Sequence, residues 1–142
     1  MKKTTGMADI TEKKKTNRQA AACGTVKLNN ELVKKIKNNQ IPKGNVIEFA
    51  RVAGIMAAKK TPDIIPLCHP LEITTANMEF EIHNNKIKVY ASVSAVDRTG
   101  VEMEALTAVS AACLTIYDMC KPFLKDIEIQ DIYLLEKKGG KS

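Results

Sequence analysis

Asp118 and Lys121 stand three residues apart near the end of the run DRTGVEMEALTAVSAACLTIYDMCK (Asp97 to Lys121), a spacing that brings a carboxylate and an ammonium together on one helix face. A lysine so placed acts as acid or base near neutral pH only where burial or further cations oppose its charge. The same run opens with Glu102 and Glu104, and upstream His69 is locked between Cys68 and Pro70 in PDIIPLCHP, where three prolines fix φ. Carboxylates and imidazole are common proton carriers at neutral pH, and a restrained backbone holds them in few positions. Lys43, in the breaker QIPKGN ahead of a helix, can present an ammonium to a phosphate. Each also has a plain structural reading: a solvated ion pair, a hydrogen-bonding histidine, a surface lysine.

The elements that must position these groups follow from periodicity. Thr99 precedes Glu102 by three residues, the capping-box spacing, so the central helix is expected to start near Gly100 or Val101. Leu106, Val109, Cys113, Ile116, Tyr117 and Cys120 give it an apolar side, while Glu104, Thr107, Thr115, Asp118 and Lys121 take other positions. The small residues Ala108, Ser110, Ala111 and Ala112 allow another backbone to come close, and Pro122 limits the helix. Glu104 and Asp118 fall near one face but roughly 21 Å apart along the axis. Both ends can serve one pocket only if the ligand is long or a second copy supplies one end.

In chain order, residues 1–16 are lysine-rich and are expected to form a flexible basic arm, followed by a single domain over 17–142. A strand carries Val26 and Leu28, and a short helix carries Leu32, Val33 and Ile36, capped by Asn29 or Asn30. VIEFARVAGIMAAKK predicts a helix capped by Asn45 and stopped at Thr61-Pro62. Thr74, Ala76, Met78, Phe80 and Ile82, then Ile87, Val89, Ala91, Val93 and Ala95, alternate as a hairpin with one buried face. In the last stretch Ile127 and Ile129 are out of phase with Ile132 and Leu134, which a bulged strand reconciles. This order predicts an α+β, ferredoxin-like fold: a four-stranded antiparallel sheet with helices packed on one face.

Composition narrows the function classes. A length of 142 residues suits one core, and a net charge of +6 favours anionic partners. No apolar run of spanning or signal-peptide kind stands out, so a cytoplasmic protein without a membrane partner is expected. The four cysteines include no CxxC pair and are expected to be reduced; a zinc site on Cys68 and His69 lacks a second ligand pair, so no metal site is expected. GGKS at the end lacks both the upstream glycine and the following helix of a phosphate-binding loop. Nucleic-acid binding is disfavoured because Phe80 falls on the apolar face and aromatic residues make up only 4% of the chain.

TGVEMEALTAVSAACLTIYDMCK and TPDIIPLCHPL resemble the two signature regions of the cyclic pyranopterin monophosphate synthase family, the accessory protein C family of molybdenum cofactor biosynthesis, and a weaker likeness extends from Arg18 to Ser142. The resemblance implies a lyase that converts 3',8-cyclo-7,8-dihydro-GTP, made from GTP by a radical S-adenosylmethionine cyclase, to cyclic pyranopterin monophosphate with release of pyrophosphate. It implies that Asp118 and Lys121 are the catalytic pair. It places Leu67, Cys68, His69, Glu102, Met103 and Glu104 in the substrate pocket, and Arg18, Lys43 and Lys137 on the phosphates, with Lys59 and Arg98 as weaker candidates. It implies a homohexamer, a trimer of dimers, with pockets at subunit interfaces and no tightly bound cofactor, Mg2+ with the triphosphate being left open. Asn45 replaces the aspartate usual in the family after the Lys-Gly pair, a change between equivalent helix caps. The alternative from another class is a non-catalytic nucleotide-binding protein of assembly or regulation.

Overall fold

Alternating apolar residues and turn signals place four strands around a helix-covered core in the computed structural model, which describes residues 6–139. The first five residues of the expected arm and the end of the Gly-Gly-Lys-Ser stretch lie outside the described residues. The elements run β1 (Thr16–Lys27), α1 (Asn30–Lys37), α2 (Val46–Lys59), α3 (Thr61–Ile64), β2 (Ile73–Ile82), β3 (Lys86–Asp97), α4 (Glu102–Cys120) and β4 (Glu128–Lys138). The sheet order is β2-β3-β1-β4 with every neighbouring pair antiparallel, which is the ferredoxin-like α+β arrangement expected.

The local signals act where expected. Asn29 accepts from the Leu32 amide at the start of α1, and Asn45 accepts from the Glu48 amide at the start of α2. α2 ends at Lys59, yet the chain after it forms a further turn, α3, in which Thr61 Oγ1 donates to the Ala57 and Ala58 carbonyls at 2.9 and 3.0 Å. The hairpin of β2 and β3 buries Ile87, Val89, Ala91, Val93 and Ala95 on one face. β4 is one strand with register shifts against β1, and Asp131 at φ 53° marks the irregularity that moves Ile132 and Leu134 out of step with Ile129.

α4 departs from its sequence pattern in two ways. It begins at Glu102 with Val101 as cap and no side-chain capping bond, so the Thr99 capping box does not form. Glu102 is the first helical residue rather than the third, and its carboxylate is taken by Lys137 at 2.6 Å. Glu104, expected on the polar face, is buried at 2% exposure. The cause is that α4 packs on the sheet along one side and on α2 along another, so its buried arc is wider than a single stripe. Ala105, Ala108, Ala112 and Met119 belong to that arc, whereas Leu106 and Tyr117 are only partly buried. At the α2 crossing Gly54 lies so near that an added Cβ would sit 3.0 Å from the Ala108 carbonyl oxygen, the close approach that the small residues of α4 permit.

α4 is long and apolar enough to cross a membrane by length and composition alone, but half of its apolar stretch is buried within the fold, which is the character of a core helix. Cys113 and Cys120 are fully buried on it; burial pushes their thiols up to about 12 and about 11, so both are packing residues that stay protonated. Large apolar side chains remain exposed at several points, Leu114 on α4 and Ile64 and Leu67 before β2 among them, and two groups of them lie along single elements. Phe49, Val52 and Met56 form a stripe at helical spacing on the outer side of α2, and Tyr133 and Leu135 project from β4.

Candidate active site

The N-terminal end of α4 carries the first of two polar clusters. Glu102, Met103 and Glu104 from its first turn, Leu67, Cys68 and His69 from the proline-restrained loop after α3, and Thr99 and Gly100 from the turn after β3 line a pocket of about 260 Å³. The loop turns over Pro66 and Leu67, where the Cys68 amide donates to the Ile65 carbonyl at 3.1 Å, and Pro66 and Pro70 fix φ on either side of Leu67, Cys68 and His69. The pocket thus gathers all six of the residues expected there.

Its electrostatics are set by burial. Desolvation raises the Glu104 carboxyl above its ordinary value, and the charges of Glu102 and Asp97 add to the rise, against a hydrogen bond from its own backbone amide. Glu104 therefore keeps a proton to higher pH than a free carboxylate. Burial, then the charges of Glu104 and Glu102, raise the Cys68 thiol too, so Cys68 is not an activated thiolate. Glu102 is ion-paired with Lys137 at 2.6 Å, which ties the end of β4 to the pocket floor.

Arg18 acts from beneath. It is 2% exposed and donates through Nε to the Asp97 carbonyl at 3.3 Å, through Nη1 to the Gly139 carbonyl at 3.3 Å and through Nη2 to the Arg98 carbonyl at 3.2 Å. Its guanidinium thus clamps the turn between β3 and α4 to the end of β4. Arg98 contributes its carbonyl to this clamp, and Lys59 stands exposed in the last turn of α2.

The second cluster lies at the other end of α4. Asp118 Oδ1 accepts from Lys121 Nζ at 2.9 Å, and its Oδ2 accepts from Lys43 Nζ at 3.4 Å. Lys43 also donates to the Asp118 backbone carbonyl at 3.2 Å, one of the carbonyls that a helix end leaves without an internal partner. The Lys121 and Lys43 contacts hold Asp118 below its ordinary carboxylate value. Two ammoniums against one carboxylate leave this exposed cluster with a surplus positive charge, suited to an anionic ligand. Asp118, Lys121 and Lys43 are brought together; within one chain they are separated by the length of α4 from His69 and Glu104.

Sequence reasoning missed the N-terminal segment as part of the pocket. Ala8, Ile10 and Lys13, all in the expected arm, line it, and the Ala8 carbonyl lies 2.6 Å from His69 Nε2. The only local signal was Asp9 two residues before Thr11, the spacing of a side-chain-capped turn. Among the described residues no group of three or more His, Cys, Asp or Glu side chains is arranged to hold a metal ion.

Comparison with known proteins bears on this geometry. A family model described as the MoaC family matches residues 7–140. A cyclic pyranopterin monophosphate synthase of Clostridium perfringens (strain 13 / Type A) is 53% identical over 138 residues, covering 96% of this chain and 87% of that protein. Proteins of the same name from Thermoanaerobacter pseudethanolicus and Desulfitobacterium hafniense are 50% and 53% identical, each over 96% of this chain and over 87% and 84% of their own lengths.

Proposed function

This chain belongs to the MoaC family, and from that premise we propose how its residues divide the work of the reaction. The activity is that of a cyclic pyranopterin monophosphate synthase, a lyase of molybdenum cofactor biosynthesis acting on a small molecule. The substrate is 3',8-cyclo-7,8-dihydro-GTP, and the product forms by rebuilding the guanine rings, cyclising the phosphate and releasing pyrophosphate. Each stage moves protons or gathers negative charge, so the enzyme needs acid–base groups near the purine and cations near the phosphates.

In our reading Asp118 and Lys121 are the catalytic pair, with Lys121 as the proton carrier and Asp118 as its positioning partner. Lys43, beside them, takes a phosphate oxygen. His69, Glu102 and Glu104 meet the purine, the buried Glu104 carboxyl facing its polar edge, while Leu67, Cys68 and Met103 shape the wall. Lys137 reaches the phosphates when its pairing with Glu102 is exchanged for substrate. Arg18 takes part through the turn it clamps. The observation that carries this reading is the separation of a surplus-cation cluster and an acid–base pocket to opposite ends of α4.

Because those ends are roughly 21 Å apart, we propose that each working pocket joins the Lys121 end of one protomer to the His69 end of its neighbour. The assembly is a homohexamer built as a trimer of dimers. Exposed apolar side chains on α2 (Phe49, Val52, Met56) and on β4 (Tyr133, Leu135) support it, since subunit contacts of that kind need apolar surface to cover. The substrate is delivered by the radical S-adenosylmethionine GTP cyclase in the cytoplasm, and neither membrane nor nucleic acid takes part. In our reading no tightly bound cofactor is called for, and Mg2+ with the triphosphate is left open. Pyrophosphate release from the cyclic dihydro-GTP tests the reading: Lys121→Ala is expected to lower turnover about 10²-fold or more with the oligomer intact, and a near-normal rate assigns proton transfer to another group.

A further inference from the structure

His69 is held by a contact outside both family signatures. Its Nε2 lies 2.6 Å from the Ala8 carbonyl oxygen, and a carbonyl only accepts, so Nε2 carries the proton. In the neutral ring Nδ1 is then the nitrogen left to accept a proton. The Ala8 carbonyl is placed by a turn built around the next side chain: Asp9 Oδ1 accepts from the Thr11 amide at 2.9 Å and from Thr11 Oγ1 at 2.6 Å. The Lys13 amide donates to the Ile10 carbonyl at 3.0 Å and closes the segment, while Ile10 lies half-buried against the pocket wall. The Thr11 bonds, more than the charge of His69, hold Asp9 below its ordinary carboxylate value, so it remains a strong acceptor at neutral pH.

We propose that Asp9 is a positioning residue for His69: its turn holds the Ala8 carbonyl on Nε2–H, which fixes the ring's tautomer and orientation and leaves Nδ1 to accept a proton from the substrate. The arrangement follows the general design in which an acceptor on one imidazole nitrogen decides what the other can do. It rests on the reading of His69 as a pocket residue and adds the group that sets its protonation state.

The test uses the full-length protein with nitrogen-15 in its histidines. His83, whose Nε2 lies 2.9 Å from Glu81 Oε1, serves as the internal reference. The His69 ring is expected as the Nε2–H tautomer, with that proton visible rather than lost to exchange with water. In Asp9→Ala the signal disappears and kcat falls about tenfold or more, with KM changed less. Asp9→Asn, which keeps an oxygen for the Thr11 amide, retains the signal and most of the rate. Unchanged His69 resonances in Asp9→Ala overturn the proposal, as does a lost signal at wild-type kcat. His69→Ala separates the two layers: full turnover in that variant removes His69 from the site, a failure distinct from an Asp9 variant that leaves the ring unaltered.

Discussion

Glu104 shows how the site opposes the fold at the level of a single group. Its carboxyl is buried beside Glu102 and Asp97, and burial is the main cause of its raised pKa. An acid whose pKa is higher folded than unfolded binds protons preferentially in the folded state, so stability falls as pH rises from the ordinary 4.5 through the raised value and is level above it. Glu104→Gln removes the ionisable group while keeping the shape. The variant is expected to be more stable than the native protein by about 1 kcal/mol, or roughly 4 °C in Tm, above the raised value, with little difference below pH 4.5. Melting curves across that range check it, and a difference that does not grow with pH overturns the burial argument. Activity should move the other way, because Gln can still donate but cannot exchange a proton. Asp118 has the opposite sign: its ammonium partners depress its pKa, so what it contributes is present above the ordinary value of 3.8 and is lost as pH falls through the lowered one.

Among the elements, α4 carries both clusters, and its seat on the sheet depends on Gly24. A Cβ added there would fall 2.8 Å from Val109 Cγ1, 2.9 Å from Ile132 Cγ1 and 3.3 Å from Cys113 Sγ, and the two nearest atoms belong to branched side chains with little room to turn. Gly24→Ala must therefore lift α4 or displace β4, and is expected to lower stability by about 1–3 kcal/mol despite the better strand propensity of alanine. Denaturant unfolding with an unchanged midpoint would show instead that the layers can part freely. The same helix marks how far the sequence could be read. Its existence, its polar pair and its small residues open to a close neighbour followed from spacing alone, though not that α2 is that neighbour, and so did the Asn45 cap and the bulge in β4, because each depends on neighbours in the chain. Three things were not legible. The Thr99 cap lost its partner to Lys137, Glu104 was covered by a layer its own periodicity does not encode, and the arm's Ala8 met His69 across 61 residues. All three are tertiary contacts, and local pattern carries no information about which distant segment arrives.

The molecule as a whole must reconcile one small substrate with two clusters that a single chain keeps apart. Lys43 and Lys121 share Asp118 within one protomer, so pairing variants of those two lysines cannot restore a site. The informative pair takes one residue from each end of α4. Subunits carrying His69→Ala and subunits carrying Lys121→Ala should each be nearly inactive alone. If a pocket joins the His69 end of one protomer to the Lys121 end of another, random mixing leaves roughly a quarter of the pockets with both native groups, and pyrophosphate release should recover to about that fraction. Were both groups drawn from one chain, every pocket would lack one of them and mixing would recover nothing. Subunit exchange must be verified by mass for tagged and untagged chains, and a charged residue at Met56 or Leu135, each exposed in one of the two apolar patches, gives the control. Such a variant is expected to assemble into smaller species and to lose the recovery along with the contact that joins the two ends.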